Sequence, residues 1–188
     1  MKPDVKKKTP SVVGNANESA EWPLEVLKRF RLIFKAVQQH SQWVETRCGI
    51  TSAQLWAMWE LSRNPGLKVT DLANAMSIHH STASNLLNKL TRKGLIRKER
   101  VSEDQRVVTL NLTPKGVELI EQAPSPAQGL LQHTLFRLPE ATLRSLAKDL
   151  DALVNEMAIK DDEAAMQPLN PLAKTMRKTK QKKKDSMT

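Results

Sequence analysis

The 188-residue chain has a single cysteine, Cys48, so no disulfide can form within it, and a reducing cytoplasmic setting is expected. No apolar run approaches the roughly 18 residues that a membrane-spanning helix needs. The Lys-rich start (Lys2, Lys6, Lys7, Lys8) is followed by polar residues rather than by the apolar core of a secretory signal. The Walker loop, the His-Glu-x-x-His helix, the Cys-x-x-Cys pair and the nucleophile elbow are all missing. Their absence argues against an enzyme, and no cofactor is expected. Long-period repeats are absent too, which excludes a solenoid.

A large charge excess in the body of the chain is also missing. The net charge is +10, but residues 1–20 contribute +2 and residues 168–188 contribute +6, leaving +2 for residues 21–167. Basicity as a sum is therefore a poor guide to nucleic-acid binding, and its placement is a better one. Residues 85–106 carry seven basic side chains (Lys89, Arg92, Lys93, Arg97, Lys98, Arg100, Arg106) against Glu99, Glu103 and Asp104.

The apolar pattern predicts a mainly α fold with a small β wing. Residues 1–20 lack periodicity and are expected to be a disordered basic arm. Leu24, Leu27, Phe30, Phe34, Val37 and Val44 form one helical stripe, so a first helix is expected over 24–47. Thr51 with Gln54 makes a capping box for a second helix through about Ser62, and Asn64-Pro65-Gly66 is a turn. Thr70 is the expected cap of a short third helix. A fourth is expected from about Ser81 to Lys93, stopped by Gly94. Residues 95–96 and 108–112 read as strands around the polar stretch 102–106.

Thr113-Pro114 opens another helix that Pro124 and Pro126 interrupt; the helical pattern resumes over 127–137. The last helix, about 140–159, spaces Leu143, Leu146, Leu150, Leu153 and Met157 as a coiled-coil-like seam. Residues 161–188 are expected to be a disordered Lys-rich tail, adding nonspecific DNA affinity or simply solvated.

Helix–helix–turn–helix–hairpin over 51–113 is the order of a winged helix-turn-helix. A helix that enters a major groove needs an apolar face for anchorage and a face of short polar groups for base edges. The fourth helix has both: Ala83, Leu86, Leu87 and Leu90 on one side, and Ser81, Thr82, Ser84, Asn85, Asn88, Lys89 and Arg92 on the other. An ordinary solvated face would look similar. The hairpin that follows favours DNA, because Asp104 stands two residues before Arg106 and can orient its guanidinium toward a minor groove or phosphate. His79 and His80, at the start of the helix, are expected at phosphate or bases rather than at a metal, since no ligand cluster completes a tetrahedral set.

The run VTDLANAMSIHHSTASNLLNKLTRKGLIRKERVSEDQRVVTLNLTPKG resembles the MarR family of bacterial transcription regulators. The resemblance covers about Leu24 to Met157 and is strongest over 69–116. It implies a homodimer whose first and last helices (24–47 and 114–159) interlock while two winged units read a pseudo-palindromic operator in double-stranded DNA. Ser81, Thr82, Ser84 and Asn85 match its major-groove positions, and Arg106 matches the wing arginine. Asn85 stands where the family often has arginine, so base preference does not carry over. The proline interruption departs from the family's long fifth helix.

The apolar surface of the 24–44 stripe and the 143–157 seam supports a dimer independently, a monomeric helical bundle being the alternative. The resemblance also suggests a pocket for a small aromatic or acidic effector near His40, Trp43, Arg47, Trp56 and Trp59. Trp walls and one cation suit such a ligand, although each Trp taken alone reads better as core. Cys48 is expected to be an inert, partly buried thiol; activation by neighbouring Arg47 is the alternative. A homodimeric repressor released by a small ligand is thus the expected function. A nonspecific architectural DNA binder and a winged-helix protein-interaction module remain as rivals.

Overall fold

The computed structural model describes residues 16–100, 108–159 and 161–169. The elements run α1 (Ala16–Cys48), α2 (Ser52–Arg63), α3 (Val69–Ala75), α4 (His80–Arg92), β1 (Ile96–Arg100), β2 (Val108–Leu112), α5 (Pro114–Glu121), α6 (Leu130–Leu135), α7 (Glu140–Glu156) and α8 (Asp162–Ala165). The chain divides within α1: the described residues up to Lys35 belong to one unit and those from Ala36 onward to a second.

In the first unit, the helix begins at Ala16, inside the stretch expected to be a disordered arm. Pro23 sits within it. Glu25 holds both Lys28 and Arg29 one turn further on, and these two partners keep its carboxyl below the usual carboxylate range. Phe30 and Phe34 stack with ring centroids 6.1 Å apart. Trp22, Leu24, Leu27 and Phe34 are nevertheless exposed.

The second unit is organised around α2. Its capping box forms as the sequence predicts: Thr51 Oγ1 accepts the Gln54 N–H, and Gln54 Oε1 accepts the Thr51 N–H at 3.0 Å. Residues 53–58 are buried at every position, so α2 is enclosed all round rather than on one stripe. Leu55, Met58 and Leu61 pack with Val44, Leu72, Leu87, Leu90 and Leu110 in the core. The short α3 starts at Val69 with Lys68 as its cap, not Thr70, and no side-chain cap bond forms there.

Helix α4 ends where glycine predicts. Gly94 adopts φ +69°, its N–H reaches the Thr91 carbonyl at 2.9 Å, and the Leu95 N–H reaches Leu90 at 3.1 Å. This paired closure satisfies two of the last carbonyls and aims the chain into β1. The two strands pair antiparallel with Lys98 opposite Leu110. Leu67 adds a single bridge to Leu110, a third pairing that its one-residue length hid from the strand pattern.

Thr113 caps α5 by accepting the Gly116 N–H at 3.1 Å, with Pro114 at the first helical position. The helix stops at Glu121, before the prolines, and α6 is only six residues long. Among the residues of α7 none is buried, and Leu146, Leu150, Leu153 and Val154 lie exposed. The segment 161–169, expected to be part of a disordered tail, contains the short helix α8.

Candidate nucleic-acid interface

The α3–turn–α4 unit presents α4 as a two-faced helix. Ala83, Leu86, Leu87 and Leu90 are buried, which fixes the helix on the core. His80, Ser81, Asn85, Asn88, Lys89 and Arg92 are exposed on the outside, and His79, Thr82 and Ser84 are half-buried. The candidate residues of the helix therefore gather on one accessible face, as the spacing predicts. Lys98 of β1 donates to Asn88 Oδ1 at 2.9 Å, tying the wing strand to that face. Glu99 is held by Arg97 at 2.8 Å and by Asn111 Nδ2 at 2.8 Å, which ties the two strands together. Asp104 and Arg106 lie outside the described residues.

Two features of this face escaped the sequence reading. Thr82 Oγ1 donates to Gln167 Oε1 at 3.3 Å, and the His79 N–H reaches the Met166 carbonyl at 3.2 Å. His79 Nε2 is buried without a hydrogen-bond partner. Nothing in the composition of 161–169 signalled this contact, because it has no apolar periodicity.

The five residues expected to form an effector pocket are only partly brought together. His40 and Trp56 line a cavity of about 20 Å³ with Ser41, Ser52, Gly129 and Leu169. That space suits one water. His40 Nε2 and Ser52 Oγ are both buried there without partners. Trp43 packs edge-on to His40, with centroids 6.2 Å apart, but is largely exposed. Arg47 turns to the Gln122 carbonyl at 3.3 Å, and Trp59 lies under the Arg63 guanidinium at 5.1 Å. Neither Arg47 nor Trp59 lines the cavity, so the expected cation is not part of its wall. Trp56 donates to Glu60 at 2.8 Å, a satisfied core indole.

Burial pushes the His40 imidazole below its ordinary value of 6.5, while the neighbouring Pro126 carbonyl pulls the other way. The unfolded chain thus takes up the proton first. His40 contributes full stability above about pH 6.5 and loses it as the pH falls through that value toward the folded pKa. His40→Gln is expected to flatten the fall in urea midpoint between about pH 7 and pH 5; an unchanged slope would refute this role. Burial also raises the Cys48 thiol pKa, outweighing the Arg47 charge, which favours the inert reading.

Among the described residues no helix is long and apolar enough to cross a membrane, and no group of three or more His, Cys, Asp or Glu side chains could hold a metal ion. The helix-turn-helix, the paired strands behind it and the exposed polar face of α4 define a winged-helix DNA-binding protein. The sequence profile of the MarR family matches residues 49–107.

A putative transcriptional regulatory protein for the hcr operon of Thauera aromatica is 30% identical over 118 residues, covering 61% of this chain and 71% of that protein. The transcriptional repressor MdtR of Bacillus subtilis is 26% identical over 115 residues, covering 61% of this chain and 74% of MdtR. A MepR-like protein crystallised with pseudoligands shares the fold at TM-score 0.51 and 20% identity, covering 71% of this chain and 94% of that one. A MarR family transcription regulator does so at TM-score 0.50 and 23% identity, covering 76% and 93%. The chain belongs to the MarR family. It is a DNA-binding transcription regulator, not an enzyme.

Proposed function

We propose that this protein is a cytoplasmic, homodimeric repressor that reads a pseudo-palindromic operator and is released by a small ligand. The observation that carries the reading is α4, anchored by four buried apolar residues and exposing Asn85, Asn88, Lys89 and Arg92 beside the wing strands. Asn85 reads a base through its amide, Ser81, Thr82 and Ser84 bond bases or phosphates, and Lys89 and Arg92 draw in the backbone. His79 and His80 approach phosphate at the helix start, and Asp104 orients Arg106 at the wing. The repressor name of MdtR supports the direction of control. The exposed apolar faces of α1 and α7 support the dimer. The water-sized cavity at His40 and Trp56 would have to open to admit an effector, and the absence of Arg47 from its wall weakens the case for an acidic one.

Operator footprinting and competition against bulk DNA test the reading. Asn85→Ala should relax base preference at one position per half-site, costing about 1–3 kcal/mol of discrimination. Arg106→Ala should weaken binding to all sequences and reduce the salt slope by about 1. Binding with no sequence preference would leave a nonspecific architectural binder instead. Equal affinity of wild type and Arg106→Ala would remove the wing from the mechanism.

A further inference from the structure

We infer that residues 161–169 form an autoinhibitory strap that competes with DNA for the first turn of α4. The inference rests on the reading of α4 as the recognition helix. After α7 the chain turns at Ala158, whose φ is +51°, and the Asp161 side chain caps the short α8 by accepting the Ala164 N–H at 3.1 Å. The strap then reaches the recognition helix. The Met166 carbonyl takes the His79 N–H, and Gln167 Oε1 takes the Thr82 hydroxyl. His79, the N-cap of α4, makes no side-chain cap bond of its own, and the strap supplies acceptors to the N–H and hydroxyl donors at the helix start.

Pro168 and Leu169 anchor the far end by walling the cavity that His40 and Trp56 line. A Thr82 hydroxyl directed at Gln167 is unavailable to a base edge or phosphate, and the strap fills space that a groove wall would occupy. Charge fits the same role. Residues 161–169 include Asp161, Asp162 and Glu163 and no basic residue, whereas α4 carries Lys89 and Arg92 and the chain beyond 169 is Lys-rich. The strap therefore carries the same sign of charge as DNA.

Linkage sets the consequences. Strap and DNA exclude each other, so each weakens the other by the same factor. A ligand that expels Leu169 from the cavity wall would strengthen DNA binding. Release by a ligand therefore requires a site other than this water-sized cavity, one that leaves the strap docked.

The test compares operator affinity of the full-length wild type with the double variant Gln167→Ala/Leu169→Ser. Both side chains are exposed, so the fold is retained, and the basic tail is present in both proteins. The variant is expected to bind about threefold to tenfold more tightly. Equal or weaker binding overturns the strap. Asn85→Ala, measured in parallel, separates the two failures. If it loses base preference while the double variant does not gain affinity, the recognition helix stands and the strap alone falls. If Asn85→Ala is indistinguishable from wild type, the recognition reading fails and the strap with it. Hydrogen exchange supplies a second readout: operator DNA should speed exchange in 161–169, and unchanged protection in the complex overturns the competition.

Discussion

Replacing Gly116 with alanine is expected to destabilise the protein by about 2–4 kcal/mol, read as a fall in urea midpoint at unchanged slope. Gly116 lies in the first turn of α5, where alanine would ordinarily gain up to about 1 kcal/mol in helix propensity. The surroundings reverse that sign. A Cβ at this position would stand 2.1 Å from the Leu95 carbonyl oxygen and 3.1 Å from its carbon, both backbone atoms. Leu95 cannot easily retreat, because its carbonyl accepts the Thr113 N–H at 3.1 Å and its own N–H closes α4 through Leu90. Nor can α5 move freely, since Thr113 donates to the Gly94 carbonyl at 2.7 Å while accepting from Gly116. The clash therefore falls on the junction between the end of α4 and the start of α5. Thr113→Ala, which removes the cap without adding volume, should cost only about 1 kcal/mol. A Gly116→Ala protein as stable as wild type would show that this junction yields.

That junction also marks where sequence reasoning succeeds. The Thr51–Gln54 box, the Gly94 stop and the Thr113-Pro114 start are decided by neighbours within a few residues, so their chemistry is legible locally. The two faces of α4 are legible for the same reason, because burial follows the helical period. Failures cluster where local signals are silent. Residues 16–21 (Ala-Asn-Glu-Ser-Ala-Glu) continue α1 without an apolar stripe, so periodicity started the helix too late. Lys68 caps α3 with no side-chain bond, and no residue type announces such a cap.

The candidate site shows the same division. The exposed face of α4 was visible in the spacing, but the strap over its first turn is a contact between residues 85 positions apart. The small cavity at His40 and Trp56 is a tertiary construction as well. Ser52, Gly129 and Leu169 reach its wall from three separate segments, while Arg47, a neighbour in sequence, is drawn off by the Gln122 carbonyl. Proximity along α1 could not distinguish a side chain that lines the cavity from one that turns away.

Leu150→Asp combined with Leu153→Asp is expected to convert the protein to a monomer and to raise the operator Kd by about a hundredfold or more. Helix α7 is 17 residues long, and none of them is buried. In proteins most helical stability comes from packing an apolar face, so the apolar side of α7 calls for a partner. Leu146, Leu150 and Leu153 recur at spacings of four and three along it, each close to two-fifths exposed. Burying the exposed two-fifths of such a leucine against a second copy is worth about 0.5–1 kcal/mol, and the double variant loses two in each protomer while placing four carboxylates in the contact, where desolvating them is costly.

Because both positions are exposed within one chain, aspartate there creates no clash and leaves the winged unit folded. Circular dichroism should confirm this. The loss of affinity then has a separate origin: a dimer binds its second half-site intramolecularly, and a monomer must bind each half-site alone. Lys148→Ala, on the same helix but off the seam, should leave both mass and affinity unchanged. A wild type that sediments as a monomer, or a double variant that remains dimeric and binds its operator normally, would rule out α7 as the dimer seam.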